Sequence, residues 1–136
     1  MKEGWHNDDY LILFEGSEIE AKEKDYEIDR LLPGHRLLGL VGWDYFLVIE
    51  HENQRVFRVP TIPLALTEKK EWPHEVDVAA LKPDGRFQGK IKWYLKPVVF
   101  GGDPNPGENL VWISHEDHVQ AVKYWNQMFL QVVRKK

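Results

Sequence analysis

The pattern of apolar and polar positions opens on Tyr10-Leu11-Ile12-Leu13-Phe14, a short apolar run between Asp9 and Gly16 with the length and flanks of a buried strand. Ser17-Glu18-Ile19-Glu20 follows as an N-cap with acids in the first turn. It predicts a helix running to about Leu32 and stopped by Pro33-Gly34. The apolar positions of that helix, Ile19, Tyr26, Ile28, Leu31 and Leu32, fall only partly on helical spacing. From Arg36 the pattern turns to β. Arg36 to Val41, Tyr45 to Glu50 and Arg55 to Val59, separated by turn signals at Gly42-Trp43-Asp44 and Glu52-Asn53-Gln54, predict an antiparallel meander. Pro60 and Pro63 end its third strand, and Thr61 to Pro83 reads as a connection with a short helix or strand at Val76 to Leu81. Lys82-Pro83-Asp84-Gly85 reads as a turn, proline setting φ and glycine accepting a positive one.

Ile91 to Lys96 alternates, which puts Ile91, Trp93 and Leu95 on the inward face of a half-buried strand. Val98-Val99-Phe100 is expected to continue extended into the loop Gly101 to Gly107, and Leu110 to Ile113 to form a last strand. Ser114, with Asp117 three residues on, is a variant of the capping box. It opens a helix whose stripe, His118, Ala121, Val122, Trp125, Met128, Phe129 and Val132, should pack on the sheet. Arg134-Lys135-Lys136 complement its C-terminal end. The elements predict one α+β domain over residues 1–136. Its mainly antiparallel, or mixed, sheet carries an acidic N-terminal helix and a C-terminal amphipathic helix packed on it.

Composition narrows the class. A chain of 136 residues, 43% hydrophobic and 29% charged, is that of an ordinary globular domain able to build its own core. With no cysteine, disulfide frameworks, thiolate metal sites and cysteine nucleophiles are excluded. The first nine residues lack the basic and apolar regions of a secretory signal. No apolar run approaches the roughly 18 residues of a spanning helix. The expected location is the cytoplasm, with no membrane partner. A net charge of −4 argues against nucleic acid as a partner, because binding the phosphate backbone needs clustered Lys and Arg. The acidity is local: residues 1–30 hold ten acids against four bases, while the rest of the chain is slightly basic. Such a segment steers a basic partner toward it.

Catalytic chemistry finds little support. His115 and His118, three residues apart, share a helix face, but zinc proteases use a spacing of four with a Glu between, and no third ligand is signposted. The loop Gly101-Gly102-Asp103-Pro104-Asn105-Pro106-Gly107 lacks the Lys-Ser/Thr pair of a P-loop, and its prolines remove N–H donors. His51 beside Glu50 and Glu52, His74 beside Glu75, and Asp103 near Glu108 are adjacent in sequence only. Ser114 reads as a cap rather than a nucleophile. No metal or other cofactor is expected. Six Trp, five Tyr and six Phe allow an aromatic binding surface beside the core, with Trp43-Asp44-Tyr45 and Trp72 next to turns where aromatics can be exposed.

Leu31-Leu32-Pro33-Gly34-His35-Arg36 leading into Gly39 to Tyr45, then Phe57-Arg58-Val59-Pro60-Thr61-Ile62-Pro63-Leu64, resembles bacterial members of the SUKH superfamily, which includes the yeast cell-wall assembly regulators. The tail from Phe100-Gly101-Gly102-Asp103 through Asn109 to His118 and on to Tyr124-Trp125-Asn126 is similar to them as well. The resemblance covers roughly residues 25 to 130 and implies an α+β fold without a catalytic motif. It also implies a cytoplasmic immunity protein that binds and neutralises a toxin, often a nuclease. The reading that follows is a non-enzymatic protein-binding domain. Its expected contacts for a basic toxin domain are Glu18, Glu20, Glu23, Asp25, Glu27, Trp43 and Asp44. The alternatives are a small-molecule-binding or enzymatic domain with a pocket near His115, His118 and Asp103, and a regulatory scaffold subunit.

Overall fold

The expected meander forms the centre of an antiparallel sheet in the computed structural model, which describes residues 1–134. In chain order the sheet runs β1 (Lys2–His6), β2 (Asp9–Leu13), β3 (His35–Val41), β4 (Tyr45–Glu50), β5 (Val56–Pro60) and β6 (Lys70–Glu71), each strand paired to the next. The register sets the core side chains in rows across the sheet. Ile12, Leu40, Phe46 and Val59 lie in one row across β2 to β5, and Leu37, Val48 and Phe57 in the next, all pointing to the same face. At Leu38 the register shifts by one residue, and at Gly39 a Cβ would come within 2.0 Å of the Ile12 carbonyl oxygen. Only glycine lets β2 and β3 approach there.

Helices α1 (Ser17–Asp25) and α2 (Ile28–Leu31), the two-stranded sheet β7 (Ile91–Tyr94) with β8 (Leu110–Ile113), and α3 (His115–Arg134) supply the partners of that apolar face. Tyr10, Tyr26, Ile28, Leu32, Ile91, Trp93, Val119 and Val122 join it in one core. The opposite face, around Leu11, Val41 and Leu47, is covered by Trp72, Leu81 and the partly buried Val76.

Several elements depart from the sequence expectation. The helix expected to run unbroken to Leu32 breaks at Glu27, which takes a left-handed φ of 59°. Tyr26 and Ile28 are both fully buried, and a continuous helix would point residues two apart to different sides. Ser17 is not the cap of α1 but its first residue. Gly16 holds the cap position without a side-chain bond, and Glu18 instead accepts from the Glu15 N–H at 3.1 Å. β1 and β6 were not expected; β1 buries little besides Gly4 and β6 is two residues long, so neither leaves an apolar pattern. The turn expected at Lys82 to Gly85 begins at Asp84, whose carbonyl accepts from the Phe87 N–H at 3.1 Å. Its positive φ belongs to Gly89, while Lys82 bridges Trp5 of β1. The short element expected at Val76 to Leu81 is a 3-10 turn at Val78–Ala80, and Val98–Phe100 is likewise 3-10 rather than extended. Leu95 falls beyond β7 and is exposed, as is Val132 on α3. The Ser114 cap stands as expected, its Oγ accepting from the Asp117 N–H at 3.1 Å. Arg134 ends α3, and Lys135 and Lys136 lie outside the described residues.

Candidate functional site

The acids of α1 divide into those held by the fold and those left to solvent. Glu18 accepts from the N-terminal ammonium at 2.5 Å, which lowers its carboxyl pKa and raises that of the amine. Glu23 accepts from the Leu37 N–H at 3.1 Å and from Arg36 at 3.3 Å, and so fastens α1 to β3. Glu27, at the helix break, pairs with Arg30 of α2 at 2.7 Å. Glu20 and Asp25 are exposed and form no ion pair among the described residues.

Asp25 does not stand alone. A hollow of about 410 Å³ between α1 and α3 is lined by Lys22, Asp25, Glu116, Asp117, Val119 and Gln120. The sequence supplies Glu116 and Asp117 as first-turn acids complementing the helix N-terminus, and the packing of α3 beside α1 turns two separate acidic stretches into one surface. Sequence reasoning missed Glu116 and Asp117 as members of this face because 90 residues separate them from α1. Their place could have been found only from the pairing of the two helices.

Trp43 and Asp44 sit at the junction of the two sheets. Gly42 and Trp43 both take a left-handed φ in the loop joining β3 to β4, and the Trp43 ring stacks on Tyr10 with centroids 4.9 Å apart. Phe87 and Trp112 meet it edge-on at 5.2 and 5.1 Å. The indole is half-buried in this aromatic cluster, and its N–H is buried without a partner. Asp44 accepts from the Lys92 ammonium at 2.7 Å, tying the β3–β4 turn to β7. Burial alone would lower the Lys92 pKa, but the bond and charge of Asp44 raise it. Beside this pair an open cleft of about 300 Å³ runs between Pro60, Ile62, Trp93, Tyr94, Pro97 and Val99.

The histidines expected at a pocket divide. His118 is 0% exposed, its Nδ1 lies 2.6 Å from the Tyr26 hydroxyl, and its Nε2 is buried without a partner. Burial, with His115 and Lys22 nearby, pushes its pKa down to about 3. His115 also has both ring nitrogens buried and unpaired, and burial beside Lys22 lowers its pKa. Asp103 does not join them: its carboxylate accepts from the Asn105 N–H at 2.9 Å within its own loop, whereas the carboxylates that influence His115 are Glu3 and Glu18. His51 and His74 are exposed, and among the described residues no three His, Asp or Glu side chains gather as a metal site. No helix among them is long and apolar enough to cross a membrane. No protein-family model, curated protein or solved structure matches the chain.

Proposed function

We propose that the chain is a protein-binding domain that receives a basic partner on the carboxylate face shared by α1 and the first turn of α3, as an immunity protein of SUKH type receives a toxin. The observation that carries this reading is the grouping of Asp25, Glu116 and Asp117 around one hollow with Lys22 as its only cation. None of the three carboxylates takes part in an ion pair among the described residues. Glu20, exposed on α1 outside the hollow, adds to the acidic field around it. Unpaired surface carboxylates remain available to a cation, and their summed field raises the rate at which a basic surface finds them. Glu18, Glu23 and Glu27 contribute to the field but are already bonded: Glu18 and Glu23 fasten α1, and Glu27 pairs with Arg30 of α2. Trp43 and Asp44 belong to the junction between the sheets and do not line this hollow.

Co-purification from the host, at low and at moderate salt, tests the reading. The expected result is a stoichiometric basic protein that is lost as salt rises and that fails to bind when Glu20, Asp25 and Glu116 are replaced by Lys. Recovery of the same partner by this triple variant would refute it.

A further inference from the structure

The face of the large sheet turned away from α1 and α3 carries a hollow of about 310 Å³, lined by Val41 and Tyr45 of the sheet and by Trp72 and His74 of the segment after β6. Alternation puts Tyr45 of β4 and Arg58 of β5 on this face, because their neighbours Phe46 and Val59 point into the main core. Trp72 is 6% exposed, its backbone N–H donates to the Val56 carbonyl at 3.0 Å, and His74 meets its ring edge-on at 4.9 Å. The aromatic side of the hollow is thus tied to the sheet.

Two half-buried groups of opposite charge face this hollow. Arg58 leans from β5 over β4, with its Cζ 4.6 Å from the centre of the Tyr45 ring. Stacking uses the flat face of the guanidinium and leaves its N–H edge free for a planar acceptor. Asp9 enters from β2, which lies three strand spacings, or about 14 Å, from β5. The two do not meet. Neither the charged side chains Asp9 and Arg58 nor the polar atoms of Tyr45, Trp72 and His74 enter a hydrogen bond or ion pair among the described residues. Glu71, which also lines the hollow, is taken by Arg55.

One unpaired cation and one unpaired anion on a common aromatic hollow narrow the ligand. A phosphate or other polyanion would meet the carboxylates of Asp9 and Glu71, and a simple amine would meet Arg58. An uncharged body would strip water from both charges and replace none of it. A zwitterion satisfies both at once. The volume lies at the small end of ligand sites, roughly 300–1,000 Å³, and suits a molecule of amino-acid size, with the rings left to receive an aromatic side chain.

We propose that this hollow binds a free aromatic α-amino acid, with the ligand carboxylate on the Arg58 guanidinium, its ammonium on Asp9 and its ring against Tyr45, Trp72 and His74. The test titrates the full chain, isotope-labelled, with L-phenylalanine, N-acetyl-L-phenylalanine and L-phenylalanine amide, which share one ring and differ by one charge each. The expected result is that L-phenylalanine shifts the resonances of Val41, Gly42, Trp72 and His74 and binds about tenfold or more tighter than either derivative, each of which forfeits a charge-assisted bond. Asp9→Asn should erase the preference over the N-acetyl compound, and Arg58→Gln the preference over the amide. Both side chains are unpaired, so the native spectrum is expected to persist in each variant. Equal binding of the three compounds, shifts confined to other residues, no saturable shift with L-phenylalanine at millimolar concentration, or preferences that survive in folded variants would overturn the proposal. The comparison of ligands on the parent chain decides it even if a variant fails to fold. The site lies on the opposite face of the sheet from the carboxylate hollow, and its failure is distinct from failure of the proposed function.

Discussion

His118 illustrates how a single residue can be legible in position and illegible in consequence. The stripe on α3 assigns it to the packing face, and it is fully buried there, but nothing local announces Tyr26 as its partner across 92 residues. Its folded pKa of about 3 lies below the ordinary value of 6.5, so the stability tied to the neutral ring is fully present above pH 6.5. It is lost as pH falls from there toward 3, by about 1.4 kcal/mol per unit. His115 adds to the loss in the same direction. Urea unfolding at pH 7 and pH 5 should therefore show a lower midpoint at pH 5, and His118→Gln should flatten the slope while keeping a polar partner for Tyr26. A pH-independent midpoint in the parent chain would exclude a buried neutral His118. Trp43 gives a second residue-scale test. Its left-handed φ costs about 1–2 kcal/mol for a residue with a Cβ, a strain the aromatic cluster must offset. Trp43→Ala should destabilise by about 2–4 kcal/mol, and Trp43→Gly by less, reversing the usual order of Ala and Gly. Thermal melts of the two variants decide it.

Among the elements, the meander was readable because three apolar runs rich in Val, Ile, Leu and Phe are separated by turn residues. The broken helix was not, although the irregular spacing of Tyr26 and Ile28 carried the signal: both side chains had to reach the core, and only a left-handed residue between them allows it. β1 and β6 lay beyond reach because edge strands are defined by pairing rather than by an apolar face of their own. The seat of α3 also depends on a contact without a sequence signature. Asn126, buried, accepts from the Leu64 N–H at 2.8 Å and donates to the Thr61 carbonyl at 2.8 Å and the Val122 carbonyl at 2.9 Å. Asn126→Ala should leave Leu64 and Thr61 unpaired in the interior and cost about 2–4 kcal/mol, measured by denaturant unfolding. A loss below half a kcal/mol would mean that α3 is held by its apolar stripe alone.

At the scale of the molecule, the fold redistributes a charge asymmetry that is linear in the sequence. The acidity of the first 30 residues was plain in the sequence, but the structure withdraws Glu18, Glu23 and Glu27 into local bonds and adds Glu116 and Asp117 from α3. Of the five acids the sequence pointed to, Glu20 and Asp25 alone stay unpaired among the described residues, since which acids remain free is decided by tertiary neighbours. Replacing Glu20, Asp25 and Glu116 by Lys should cost no more than about 1–2 kcal/mol, because these side chains are exposed and unpaired and the loss is confined to Glu20 and Glu116, which complement the N-terminal ends of α1 and α3. Thermal unfolding of the triple variant checks this. The most direct measurement of the central claim is the association rate of the purified basic partner, followed across ionic strength for the parent chain and this variant. The expected result is a rate that falls steeply with salt in the parent and is at least about tenfold lower and nearly flat in the variant. Rates that coincide at every ionic strength would contradict a carboxylate face that receives the partner.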